Sequence, residues 1–419
     1  MSTRGDLSGM FWQVSDLQPI PDLLYEKVHL WDFPPSRVFV KLNEPCRRWL
    51  FDELHMRCQT SHLLFILNTR CKAYGIGRRY NRGHIRTWKN GSKSDNGKIK
   101  DARIPLWVLI EFSKLLSGSV NDGGTIMRQI EREVEYCAAS GKSIPVRFKF
   151  PLLLTPELVS VIFHLCGDGH IGTETDTSHY RQTNKTAFQN FARKLHNSFG
   201  DFRETIVEDS KIIIPRIITD FYQHYFGINK CRWNTARIPK RIKALGREFL
   251  VAGLAAFIVD EGHVGDHLEI YSSNPNLLAD IREIAQKLGH DSTDIHAKYR
   301  YGVLNGYRFL IKKQGALIFY KDVKDLSERF PMCGLAHKSA CLELGVKIKK
   351  RGWQKMHNGV TKHNILSLLQ SPMTVQELSE RILIPAASVR EHLSQLRAAG
   401  KVRLFGKHGR RTLWLSKVQ

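Results

Sequence analysis

Leu158-Val-Ser-Val-Ile-Phe-His-Leu-Cys-Gly-Asp-Gly-His-Ile-Gly172 returns later in the chain as Val251-Ala-Gly-Leu-Ala-Ala-Phe-Ile-Val-Asp-Glu-Gly-His-Val-Gly265. Each copy is an apolar run of helix length that closes on acid-Gly-His-Ile/Val-Gly. The acids are Asp168 and Glu261, 93 residues apart. Such self-similarity marks an internal repeat. Each copy leads into a polar stretch and then an amphipathic helix, Thr186 to Phe199 in the first and Asn276 to Leu288 in the second, with apolar residues at helical spacing. Strand-like pieces follow, Lys211–Ile214 and Gly306–Lys312, and then another short helix. The unit reads α, strands, α, strands, α, twice over. This predicts a pseudo-symmetric α+β core.

The first motif helix has a clear start: Thr155 suits the N-cap, Pro156 the first helical position, and Glu157 the positive end of the dipole. Its body is apolar nearly all round, as a buried helix requires. In the second, Ala252, Gly253, Ala255 and Ala256 make the helix thin. The two are expected to pack against each other at the pseudo-twofold. Asp168 and Glu261 then fall at the negative helix ends, where a carboxylate is disfavoured by about 0.3–1 kcal/mol. Gly169 and Gly262 stand where a helix stops in the left-handed conformation. Two carboxylates held close raise a pKa or need a cation. Oxygen ligands with room for water suit Mg²⁺, which holds phosphate and activates water.

Val161-Ile-Phe-His-Leu-Cys-Gly-Asp-Gly169 and Leu254-Ala-Ala-Phe-Ile-Val-Asp-Glu-Gly262 resemble the motifs of LAGLIDADG homing endonucleases in the single-chain, two-repeat form. Arg237-Ile-Pro-Lys-Arg-Ile242, Glu269-Ile-Tyr-Ser-Ser-Asn274 and Tyr307-Arg-Phe-Leu-Ile-Lys312 are similar to the family's flanking segments. The resemblance spans roughly residues 150–340. It implies two αββαββα units, saddle-shaped sheets on the DNA major groove, and Mg²⁺-dependent hydrolysis of both strands. It assigns the metal to Asp168 and Glu261, with Asp260 at a motif position of lesser weight. The first motif departs from the family in carrying bulky Phe163 where a small residue is usual. That predicts a loosened or shifted helix interface.

Lysines near scissile phosphates are further candidates: Lys312 and Lys313 as catalytic residues, with Arg216 a looser choice in the first copy. Strand residues expected to reach bases or phosphates are Arg181, Gln182 and Lys185 in the first copy and Lys298, Arg300 and Arg308 in the second. Arg and Gln read base edges, whereas Lys positions the backbone. Faces alternate along a strand, so about half of these point away.

The chain has 419 residues and a net charge of +24, with 42% hydrophobic and 10% aromatic residues, enough for packed cores. The charge concentrates at the ends: residues 345–419 hold 15 basic and 3 acidic side chains, and residues 1–150 hold 24 and 15. This points to a polyanion, and nucleic acid is the commonest. No apolar run is long enough for a membrane span. The eight cysteines form no CxxC pair, which argues against zinc ribbons and disulfide scaffolds.

The expected organisation is a segment of unclear structure at 1–44, a helix-turn-helix-like domain at 45–118, a connector at 119–150, the two-repeat core at 151–344, a basic linker at 345–360 and a winged helix at 361–419. In the last, Thr374 with Glu377 forms a capping box. A helix from Pro385 presents Ser388, Arg390 and Gln395, and the wing carries Arg403, Lys407, Arg410 and Arg411. It is similar to the winged helices of prokaryotic transcription regulators. In the N-terminal domain the helix Ile85-Arg-Thr-Trp-Lys-Asn-Gly91 and the run Ile104-Pro-Leu-Trp resemble repressor-type DNA-binding domains. Residues 70–103 carry eleven Lys or Arg against two Asp, and Arg78, Arg79, Arg82, Arg86 and Lys89 are the expected contacts.

These readings converge on a site-specific double-stranded DNA endonuclease, cytoplasmic and nucleoid-associated, acting as a monomer through internal pseudo-symmetry. Two alternatives remain: a non-cleaving transcription regulator, or an intron maturase acting on structured RNA. Phosphate attraction is common to DNA and RNA and does not separate them.

Overall fold

The computed structural model describes residues 25–93, 99–100, 102–117, 123–140, 143–172, 176–228, 235–264, 268–343, 360–382, 384–408 and 411–417. Arg410 and the linker lysines lie outside the described residues, as do the side chains of Arg300 and Arg411.

The two copies of the repeat fold alike. The first motif helix, Pro156–Cys166, is followed by strands Gly169–His170 and His179–Arg181, helix Lys185–Phe199, strands Thr205–Val207 and Lys211–Ile213, and helix Arg216–Phe226. A further short strand, Asp201–Phe202, leaves this unit to join another sheet. The second motif helix, Arg247–Glu261, is followed by strands Gly262–Val264 and Leu268–Ser272, helix Pro275–Lys287, strands His296–Arg300 and Val303–Ile311, and helix Lys313–Arg329. Both four-stranded sheets are antiparallel and have the same strand order. In each, the strand leaving the motif helix is an edge strand, so the acid at the helix end sits beside the start of its own sheet.

The two motif helices pack together. All eleven residues of Pro156–Cys166 are buried, and Thr155 Oγ1 accepts from Leu158 N–H at 3.3 Å as the N-cap. Phe163 does not loosen the interface: its ring is wholly buried, and a methyl group added at Gly253 of the partner helix would overlap it. The missing side chain of one helix accepts the extra bulk of the other. Fully burying one such side chain contributes about 1.5–3 kcal/mol.

Gly169 and Gly262 do not adopt the expected left-handed conformation; neither has a positive φ. Their role is close approach. A Cβ at Gly169 would lie 2.5 Å from Leu165 Cα, and one at Gly262 would lie 2.6 Å from the Ile258 carbonyl oxygen. The chain folds back over the last helical turn, and only hydrogen fits there.

Residues 25–44, 123–140 and 143–147 contribute strands and a helix rather than a bare segment and connector. Strand Phe39–Leu42 lies inside a five-stranded sheet with Arg103–Pro105, Val134–Ala138, Val146–Arg147 and Asp201–Phe202. The last of these comes from the first repeat, so this sheet is continuous with the core. Strand Lys27–Val28 pairs with Leu152–Leu153 immediately before the first motif helix. Phe33 stacks on Phe221 and meets Phe148 and Phe150 edge-on. Helices Thr60–Arg70 and Arg82–Asn90 flank a turn through Gly75, which has φ 71°.

The C-terminal unit has its own core of Ile365, Leu369, Leu378, Val389, Leu393 and Val402. Helices Val360–Leu368, Val375–Ile382 and Ala386–Ala398 accompany a three-stranded sheet, of which strand Met373–Thr374 lies between the first two helices and strands Val402–His408 and Arg411–Ser416 follow the third. The capping box forms as the sequence predicts: Glu377 N–H donates to Thr374 Oγ1 at 3.2 Å, and Thr374 N–H donates to Glu377 Oε2 at 2.7 Å.

Candidate functional site

Glu261 is the last residue of its motif helix, and Asp168 lies two residues past the end of the other. Burial raises the Asp168 carboxyl to about 7, aided by the Asp260 charge and opposed by Lys338. Burial likewise raises Glu261 to about 7, with Asp168 and Asp260 adding to the effect and Lys338 opposing it. The acids of the two repeats therefore act on each other, which the helix pairing requires. An open cleft of about 450 Å³ is lined by Glu261, His263, Glu269, Tyr271 and Lys298 among others.

Asp260 is the third acid of the cluster, and its environment differs from the other two. Its side chain is fully buried and accepts two hydrogen bonds from the first repeat. Tyr180 Oη donates to Oδ1 at 2.7 Å, and His164 Nδ1 lies 2.9 Å from Oδ2. Behind His164, Lys194 Nζ sits 3.0 Å from Nε2. An ammonium has only donors, so Nε2 accepts and the imidazole proton is assigned to Nδ1, facing Asp260. Burial, with Lys194 beside it, pushes His164 well below its ordinary value and keeps the ring neutral. Burial also lowers Lys194, against the pull of Cys333, Glu157 and Asp260. The position matching Asp260 in the first repeat is Gly167, where an added Cβ would come within 3.0 Å of Asp260 Cβ. The two repeats are thus unequal here: one supplies an acid and the other the space for it.

Other predicted residues fall in different places. Gln182, expected on a base-reading face, instead donates through Nε2 to Asp168 Oδ2 at 3.1 Å, so it orients the acid. Lys312 pairs with Asp291 at 3.1 Å, and Lys313 is exposed at the start of the following helix. The lysine that acts on all three acids is Lys338, which sequence reasoning missed. Arg216 is 2.8 Å from Asp220. Arg181 pairs with Glu208 at the surface. Lys298 and Arg308 converge on Glu269 at 3.2 and 3.4 Å. Lys185 is exposed.

In the N-terminal helices Arg78, Arg79, Arg82 and Arg86 are exposed, whereas Lys89 is held by Asp52 at 2.8 Å. Arg390, Gln395, Arg403 and Lys407 are exposed in the C-terminal unit, and Ser388 is half-buried. Gln395 Nε2 reaches Glu391 Oε1 at 3.3 Å. The missed partners had one visible signal each. His164 is the one ionisable group between Leu158 and Cys166 of an apolar helix, and Lys194 shares a helix face with Phe191 and Leu195.

Among the described residues, no group of three or more His, Cys, Asp or Glu is placed to hold a metal ion, and no helix is long and apolar enough to cross a membrane.

Residues 361–403 match the helix-turn-helix family described as bacterial regulatory protein, arsR family. No curated protein matches the chain. Among solved structures, mesophilic variants of the homing endonuclease I-DmoI are 17% identical, over 45% of this chain and 97% of that one, at a TM-score of 0.32. Full-length DUF199/WhiA from Thermatoga maritima is 11% identical, over 59% of this chain and 92% of that one, at a TM-score of 0.29. The C-terminal unit is thus similar to a bacterial regulatory helix-turn-helix, and the whole is a mixed α+β chain with small sheets.

Proposed function

We propose that this chain binds duplex DNA and hydrolyses phosphodiester bonds at the junction of its motif helices, as a site-specific endonuclease. The observation that carries the reading is that Asp168 and Glu261, one from each repeat, belong to a single cluster of mutually repelling, half-buried carboxylates. A divalent cation fits this donor set. Mg²⁺ is commonly held by one or two carboxylates and keeps several waters, so it needs no third protein ligand. Asp168 and Glu261 would hold it, and the ion would supply charge neutralisation of the phosphate and an activated water. Gln182 keeps Asp168 oriented. The His164–Lys194 pair and Tyr180 hold Asp260, and with it the end of the second motif helix, in register. The exposed arginines of residues 78–86 and the basic C-terminal unit supply affinity along the backbone.

A second reading, a DNA-binding regulator without cleavage, is favoured by the regulatory-type helix-turn-helix at residues 361–403. Purified protein incubated with a randomised duplex library and Mg²⁺, followed by sequencing of ends, separates the two. Double-strand cuts at one long motif, lost in Glu261→Gln, support the endonuclease. Selective retention of intact duplexes supports the regulator, and indifference to duplexes moves the test to intron RNA.

A further inference from the structure

Lys338 belongs to neither motif. It ends the short turn Ala336–Lys338 that follows the last core helix. Its half-buried ammonium donates to three main-chain carbonyls at the end of the second motif helix: Ile258 at 2.8 Å, Val259 at 2.6 Å and Gly262 at 2.6 Å. Ile258 O already accepts the Gly262 N–H that closes the helix, and Lys338 adds a charged donor there as it does at the Val259 and Gly262 carbonyls. An ammonium has three protons, so these bonds use all of them. The backbone, not the carboxylates, therefore fixes where this charge sits. At that point it acts on Asp168, Asp260 and Glu261 together.

A cation in an oxygen cradle beside three acids does the electrostatic work that a hard divalent ion would otherwise do. We propose that Lys338 is the built-in counter-cation of the acidic cluster, holding the junction of the two motif helices together without metal, so that a divalent ion is recruited only with the DNA phosphate. Two consequences follow. Free of DNA, the protein's stability is indifferent to Mg²⁺. Once the ammonium is removed, the carboxylates lose their counter-cation, and stability becomes dependent on Mg²⁺ through its binding to the folded state alone. Cleavage is not needed for either consequence: a chain that never cuts DNA gives the same result, so failure of the nuclease reading and failure of this one are told apart.

The test melts the full-length parent, Lys338→Ala and Lys338→Arg without DNA, in EDTA and in millimolar Mg²⁺. The parent should melt at the same temperature in both buffers. Lys338→Ala should melt several degrees lower in EDTA and regain more than half of that loss in Mg²⁺. Lys338→Arg keeps the charge and should show no response to Mg²⁺, whatever it loses in cradle geometry. An equal loss for Lys338→Ala in both buffers, including failure to fold in either, would reduce Lys338 to a helix cap and overturn the proposal. So would a parent whose midpoint rises in Mg²⁺, a result that requires no variant to fold.

Discussion

The ring of Phe163 on the first motif helix occupies the space that a side chain at Gly253 on the second would need. A large residue in one repeat is matched by an absent side chain in the other, and the helices pack closely without being identical. Asp260 over Gly167 repeats the device one end further along. The interface of this two-repeat core is complementary rather than symmetric, and its complementarity is set by pairs.

Pairs of this kind give non-additive mutations. Gly253→Ala should destabilise the protein by about 1–3 kcal/mol through overpacking. Phe163→Ala should lose about 3–5 kcal/mol through the cavity it leaves. Combined, they should cost measurably less than the sum, because the new methyl enters the vacated space. Chemical denaturation of the four proteins checks this, and strict additivity would mean that the two sites do not touch.

The repeat, the buried motif helices and the capping box at Thr374 were legible because they rest on local patterns of period and composition. Phe163 was legible as an anomaly, but its partner was not: nothing in a single helix's sequence says which residue faces it across an interface. Gln182 shows the same limit, since strand alternation gives two faces but does not say that one ends at a carboxylate. Lys338 was invisible for a different reason. It lies far from both motifs in sequence, and the carbonyls it binds are backbone atoms that every residue type carries. The motif glycines were placed correctly but for the wrong reason, because a helix end offers glycine both a left-handed turn and a close return of the chain.

Asp168→Asn and Glu261→Gln are each expected to lower cleavage by at least about a hundredfold, the scale of losing one group that stabilises transition-state charge. Binding should stay within a few-fold of the parent, because neither acid approaches DNA favourably without a cation. A gel-shift titration beside the cleavage assay reads both. Loss of binding in step with cleavage would place these acids in the fold rather than in the chemistry.

His290 is fully buried, with neither ring nitrogen hydrogen-bonded; Asp322 is 3.6 Å away and Phe319 meets the ring edge-on. Burial, with Arg247 nearby, lowers its pKa from 6.5 to about 4. In the unfolded chain the ring takes up a proton near its ordinary value, while the folded ring resists until about 4. The unfolded state therefore binds more protons in that window, and stability falls as pH drops from about 6.5 towards 4. At about 1.4 kcal/mol per unit the full effect is on the order of 3 kcal/mol. His290→Leu should remove this part of the acid sensitivity. Urea unfolding of parent and variant at pH 7 and pH 4.5 measures it, and parallel losses in both would exclude His290 as the cause.

The C-terminal unit has a separate core, and its exposed Arg390, Arg403 and Lys407 stand on the helix and strand that a winged helix turns towards DNA. If Arg403 and Lys407 neutralise phosphates, each releases about one counterion on binding, so log affinity falls with log salt by about 0.9 per contact. Arg403→Ala and Lys407→Ala should therefore each flatten the salt slope by about one and weaken binding alike on all sequences. Arg390, on the helix rather than the wing, is the test of sequence reading: Arg390→Ala should cost about 1–3 kcal/mol on the preferred site and much less on unrelated duplexes. Fluorescence anisotropy over a salt series, on selected and scrambled duplexes, separates these effects. An unchanged slope in both wing variants would assign the unit to a protein partner instead, since a protein-contact surface has no counterions of DNA to release.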